Sequence, residues 1–122
     1  MAKKRVLLVD DDKWLAELMA ASLERAGYAV DIAHDALAAM QQVDLRSPNL
    51  IVLDMFMPGP NGIVLLHELQ SYTDTATIPI VLCTNSAGDV SPEQLAPYGV
   101  CRVLDKAVME PVDVVAAARR FA

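Results

Sequence analysis

The chain has 122 residues, an apolar fraction of 54% and a formal net charge of -6. That length suits one domain with ample material for a core and leaves no room for a second. A pI near 4.7 argues against a phosphate-backbone binder, which needs clustered Lys and Arg, and Lys3-Lys4-Arg5 is only a short tag. The apolar runs are far shorter than the ~20 residues that span a bilayer, and Met1 is followed by charge, not by a signal-peptide core. A soluble, cytoplasmic chain that meets neither nucleic acid nor membrane directly is the expectation.

In chain order, short β-rich runs alternate with helix-period segments. Strands are predicted at Arg5-Val9, Ala29-Ala33, Leu50-Leu53, Ile80-Cys83 and Arg102-Leu104. The first helix starts after Asp12 as N-cap, carries Leu15, Leu18, Met19 and Leu23 on one face, and ends at Gly27 as a C′ residue. Asp35 caps a second helix through Val43, and Asn61-Gly62 opens a third through about Ser71. Ser91-Pro92-Glu93-Gln94 has the shape of a capping box with Pro at N1, Pro97 cuts this fourth helix short, and Pro111 marks the start of the last. Strands separated by helices call for right-handed crossovers, hence a doubly wound α/β domain with a parallel sheet between two helical layers. Cys83 and Cys101 lack C-x-x-C spacing or nearby His partners, which favours buried, reduced thiols over a metal site or a disulfide.

The acids sit where such a sheet binds ligands, beyond the carboxyl ends of its strands. Val6 to Val9 runs into Asp10-Asp11-Asp12, and Ile51-Val52-Leu53 stops on Asp54 before a Pro/Gly turn, while Thr84 follows the fourth strand and Lys106 the fifth. Carboxylates about 4 Å apart repel by roughly 4 kcal/mol at an effective dielectric near 20, a repulsion that a divalent cation reverses. Magnesium suits hard oxygen donors of this kind, held by one or two carboxylates together with phosphate oxygens. Asp54 is then the candidate nucleophile toward phosphorus, Lys106 a neutraliser of charge, and Thr84 a hydrogen-bond donor to phosphoryl oxygens.

With these residues assembled, the chain resembles the response-regulator receiver domain along essentially its whole length. Asp10 and Asp11 match the family's acidic pair, Asp54 its phosphoacceptor, Met57-Pro58 and Asn61-Gly62 the turn that follows, Thr84 its switch hydroxyl and Lys106 its phosphate-sensing lysine. The resemblance implies a (βα)5 flavodoxin-like three-layer sandwich with strand order 2-1-3-4-5 over residues 1-122. It also implies Mg2+ held by Asp11, Asp54 and the Phe56 backbone carbonyl, with Asp10 reaching it through water. The phosphoryl group would come from a histidine kinase or a histidine phosphotransfer protein. The domain would catalyse its own phosphorylation and dephosphorylation at Asp54 without being a conventional enzyme. An unidentified output protein would meet the fourth helix, fifth strand and last helix, and the chain would be a monomer or a phosphorylation-dependent dimer.

The departures from the family pattern lie on the output side. Lys106 is followed by Ala107 where the family has a cis proline, so the bond is trans or stores strain, since a non-proline cis bond costs about 2.5–4 kcal/mol. Val103 replaces the aromatic that usually rotates inward, Asn85 stands where a small residue follows the threonine, and Phe56 and Ser86 occupy positions that tune phosphoryl lifetime. Leu95, Pro97, Tyr98 and Val115 form either an apolar patch or part of the core.

Each feature also has a structural explanation. Asp10 to Asp12 can simply cap a helix, Asp54 can be a loop acid and Lys106 a surface charge. Trp14, Met19, Met40 and Met55 are packing residues more often than ligands, and His34 and His67 read as surface or helix-end residues. Two other functions compete with phosphoacceptance: a phosphate-independent adaptor, favoured by Val103 and Ala107, and a haloacid-dehalogenase-like phosphatase, suggested only by Asp10-Asp11-Asp12. The chain ends at Arg119-Arg120-Phe121-Ala122 without a DNA-binding or catalytic output segment, consistent with a standalone protein or an excised receiver.

Overall fold

The structure is a computed structural model that describes residues 2–55, 62–85 and 91–122. Five strands, β1 Arg5–Val9, β2 Ala29–Ala33, β3 Leu50–Asp54, β4 Ile80–Thr84 and β5 Val100–Asp105, form one parallel sheet in the order β2-β1-β3-β4-β5. Between and after them lie α1 Lys13–Arg25, α2 Ala36–Leu45, α3 Gly62–Gln70, a short α4 Pro92–Leu95 continued by a 3-10 turn over Ala96–Tyr98, and α5 Pro111–Phe121. This is the flavodoxin-like doubly wound sandwich.

Strand alternation divides the core between the two faces of the sheet. Leu7, Val9, Ile51, Leu53, Ile80 and Leu82 pack with α2, α3 and α4, whereas Val6, Leu8, Leu50, Val52, Val81 and Cys83 pack with α1 and α5. Every residue of β3 and β4 is buried, so those strands read as continuous apolar runs, as sheets covered on both faces require. At the sheet margins β2 and β5 are only partly covered.

The expected starts of α1 and α2 and the expected stop of α1 are in place, while α2 runs to Leu45, two residues past the expected Val43. Asp12 Oδ1 accepts the Leu15 amide at 3.0 Å, Asp35 Oδ1 accepts that of Ala38 at 2.7 Å, and Gly27 follows α1 with φ +100°, a value that suits only glycine well. The expected side-chain box at Ser91 and Gln94 does not form; Ser91 Oγ donates instead to Glu93 Oε2 at 3.4 Å. A reciprocal box closes α5, where Glu110 and Asp113 cap each other's amides ahead of Pro111.

Several packing expectations need correction. α1 buries Ala16, Met19, Ala20 and Leu23, while Leu18 is 39% and Trp14 73% exposed. The buried face thus runs through Ala16, Met19, Ala20 and Leu23, with Leu15 packed at its margin, and Leu18 lies outside it. Cys101 is exposed because β5 is an edge strand, although Cys83 is buried and both thiols are free as expected. Leu95 and Val115 belong to the core, Tyr98 packs against it and Pro97 is exposed, so these four do not make one surface patch.

Gly62 begins α3 where the helix crosses the end of β3. A Cβ there would lie 2.9 Å from both the Asp54 carbonyl oxygen and the Met55 Cα, backbone atoms with little freedom to retreat. Gly62→Ala is therefore expected to lower the unfolding free energy by about 1–3 kcal/mol, the usual cost of overpacking, as measured by urea denaturation.

Candidate functional site

Asp10 directly follows β1, Asp54 is the last residue of β3, and Lys106 directly follows β5. The order β2-β1-β3-β4-β5 brings these ends to one edge of the sheet. Lys106 Nζ lies 3.1 Å from Asp10 Oδ2, 3.3 Å from Asp10 Oδ1 and 3.1 Å from Asp54 Oδ2. Asp10 and Asp54 are 2% and 4% exposed, so both carboxylates are held out of water by packing and share one ammonium. Asp10 Oδ1 also accepts the Asp12 amide at 2.9 Å.

Asp11, on the solvent side, completes the acidic group. One carboxylate oxygen from each of Asp10, Asp11 and Asp54 lies within 4.8 Å of the other two. At that separation and an effective dielectric near 20 each pair of charges repels by roughly 3–4 kcal/mol, which one ammonium offsets only in part. Three hard oxygen donors, two buried and one facing solvent, fit a small divalent cation that retains several waters.

Burial tends to lower the Lys106 ammonium pKa, but hydrogen bonds to Asp10 and Asp54 outweigh it and raise the pKa above the ordinary 10.5. The Lys106 ammonium is thus charged at neutral pH. The stability gained from its raised pKa is fully present below 10.5 and lost as pH rises through the raised value. Cys83 pairs in register with Asp54, and burial first, then the Asp10 and Asp54 charges, push its thiol pKa up to about 12. It is held inert beside the acids.

Thr84, fully buried, ends β4 one residue beyond Cys83. Strand alternation gives Thr84 the face of Leu82 and Asp54 that of Cys83, so hydroxyl and carboxylate reach the carboxyl edge from opposite faces of the sheet. The Thr84 carbonyl accepts the Lys106 amide at 3.0 Å, tying the two strand ends together. After Lys106 the chain turns with Asp105 Oδ1 accepting the Ala107 amide at 2.9 Å, and the Lys106-Ala107 bond is trans. Val103 is half-buried against the face that holds α3 and α4. Phe56 and Ser86, and the turn at Pro58 to Asn61, lie outside the described residues.

Sequence reasoning missed one contact. His34, expected at the surface, brings Nδ1 to 2.9 Å from the Asp10 carbonyl oxygen. Its position directly after β2, next to β1 in the sheet, was the available signal. His67, exposed as expected, sets its ring edge-to-face with Tyr98 at 5.0 Å between centroids.

A doubly wound parallel sheet with acids and a lysine converging at its carboxyl edge defines a receiver-type protein. The sequence matches the response regulator receiver domain family over residues 6–119, and the chain belongs to that family. It is 33% identical over 85 residues to the response regulator MprA of Mycobacterium ulcerans, an alignment covering 70% of this chain and 37% of that protein. Identity reaches 38% over 84 residues with the phosphate regulon transcriptional regulatory protein PhoB of Pseudomonas aeruginosa, covering 69% and 37% of the two chains. The matched region thus spans little more than a third of these curated relatives. Among solved structures, a sensor protein from Polaromonas sp. JS666 superposes with a TM-score of 0.88 at 26% identity, over 98% of this chain and 96% of that one. Receiver domains of two-component systems take phosphate from histidine kinases and bind Mg2+ at an acidic pocket, and the acidic group here has the composition for it. Among the described residues no helix is long and apolar enough to cross a membrane.

Lys106→Met leaves the buried carboxylates without their ammonium and is expected to cost about 3 kcal/mol of stability at neutral pH in the presence of chelator. Added magnesium should recover part of that loss in thermal unfolding. A thiol reagent at pH 8 should modify Cys101 in the native chain and leave Cys83 untouched until the protein is denatured.

Proposed function

We propose that this chain is a phosphoacceptor receiver in which Asp54 takes a phosphoryl group from a histidine kinase or histidine phosphotransfer protein. The observation that carries this reading is the pair of buried carboxylates, Asp10 and Asp54, each 3.1 Å from the Lys106 ammonium, with Asp11 beside them. Asp10, Asp11 and Asp54, with the backbone carbonyl of Phe56, would hold Mg2+. Bound magnesium supplies the positive charge that lets an anionic carboxylate and an anionic phosphoryl group approach.

An Asp54 carboxylate oxygen attacks phosphorus in line with the leaving group. The P–N bond of the donor phosphohistidine breaks, its electron pair stays on the imidazole, and an acyl phosphate forms on Asp54. Lys106, already between Asp10 and Asp54, then has a phosphoryl oxygen to pair with in place of the carboxylate charge it loses. Thr84 donates a hydrogen bond from its hydroxyl to another phosphoryl oxygen. Water then attacks phosphorus, the bond from phosphorus to the Asp54 oxygen breaks and inorganic phosphate leaves, so the domain catalyses its own phosphorylation and its own dephosphorylation at Asp54. In this reading residues 1-122 act as one receiver in the cytoplasm. The surface of α4, β5 and α5 carries the signal to an output protein.

A ligand moves a conformational equilibrium only by its difference in affinity for the two states, and here Thr84 and Lys106 contacts to the phosphoryl group supply it. Lys106→Ala is expected to accept phosphate yet lose the conformational response, followed by amide exchange across α4 and β5. An unchanged response would remove Lys106 from that role. The direct experiment is intact mass of wild type and Asp54→Asn after incubation with magnesium and a small acyl-phosphate donor, with and without chelator. Gain of one phosphoryl group that requires both magnesium and Asp54 is expected. No gain in the wild type would assign the chain to the phosphate-independent adaptors.

A further inference from the structure

We infer that His34 is a positioning residue for the acidic group: it fixes the peptide that joins Asp10 to Asp11, and through it the carboxylate of Asp11. The inference rests on the reading of that group as a magnesium site. β1 and β2 pair in parallel with Val9 opposite Ala33, and the Asp10 amide makes the next rung by donating to the Ala33 carbonyl at 3.0 Å. In a continued ladder the Asp10 carbonyl would accept the amide of Asp35. The chain instead turns at Asp35, the N-cap of α2, and His34 Nδ1 stands 2.9 Å from that carbonyl oxygen. A carbonyl has no proton to give, so Nδ1 carries the proton and donates. The imidazole thus supplies the rung that the departing backbone withdraws.

The effect falls on Asp11. Asp10 is held several ways, by Lys106, by the Asp12 amide and by burial. Asp11 is exposed, and among the described residues no hydrogen bond holds its side chain. Its direction depends on the backbone on which it stands. The Asp10 carbonyl and the Asp11 amide belong to one planar unit, so a bond to that oxygen restrains the dihedral angles on either side of it. With the unit held, the Asp11 carboxylate stays within 4.8 Å of its two partners; released, the exposed acid moves away from like charges.

The test uses the branch geometry of the side chain. Asn places an N–H donor on Cγ, where His carries Nδ1, whereas Leu fills similar space without a donor. Magnesium affinity is measured by calorimetry for wild type, His34→Asn and His34→Leu, with thermal unfolding as the control for folding and amide exchange at Asp11 as a second readout. His34→Leu is expected to bind magnesium about 10-fold more weakly and to exchange the Asp11 amide faster, as loss of an outer-sphere support does, with His34→Asn close to wild type. Phosphorylation of His34→Leu should recover at saturating magnesium. Wild-type affinity in His34→Leu, or a loss in His34→Asn equal to that in His34→Leu, overturns the assignment. Wild-type protein that binds no magnesium overturns the metal-site reading, and this inference with it. If the Leu variant does not fold, nitrogen NMR of wild type decides: a neutral imidazole protonated at Nδ1 supports the bond, and one protonated at Nε2 overturns it.

Discussion

A parallel sheet covered on both faces leaves its strands no place for chemistry except their ends. Each internal residue of β3 and β4 must be apolar, because either side of the pleat meets a helix. Polar groups therefore gather where the strands stop, and the parallel direction puts all the carboxyl ends on one edge. With β1 beside β3 in the order β2-β1-β3-β4-β5, Asp10 and Asp54 become neighbours although 44 positions separate them in the chain. The fold thus accounts for the acidic group more directly than any local motif does.

That convergence has a cost, since buried carboxylates repel and lose hydration. Lys106 meets part of it by lying between Asp10 and Asp54, and the remaining negative charge makes the site receptive to a cation. Burial first, and then the Asp10 and Asp54 charges, suppress ionisation of Cys83, which sits in register with Asp54, so a nucleophilic sulfur beside the acids is kept silent.

Much of this was legible in the residues because the signals were strong and local. β1 and β2 have the expected bounds, and β3 and β4 extend one residue further only because Asp54 and Thr84, read as site residues, still keep strand pairing. β5 is the poorest match: Arg102–Leu104 was expected and Val100–Asp105 is found, since an edge strand with exposed Cys101 and Arg102 carries little apolar pattern. On α1 the apolar spacing puts Leu18 on one face with Leu15, Met19 and Leu23, whereas the buried face runs through Ala16, Met19, Ala20 and Leu23. Asp10, Asp11, Asp54 and Lys106 do come together, because strand ends are easy to locate. The His34 contact was hidden because it depends on where the backbone leaves the ladder, which spacing in sequence does not encode.

The irregular register of β5 has a further consequence. Val100 lies opposite Ile80 and Arg102 opposite Val81, so Cys101 is an extra residue between two rungs. Its Sγ turns back to the Ile80 carbonyl at 3.3 Å instead of extending outward. A bulge of this kind interrupts the regular comb of amides and carbonyls on a sheet margin, which another chain would need for strand addition. This flank is thus a poor template for sheet growth between molecules.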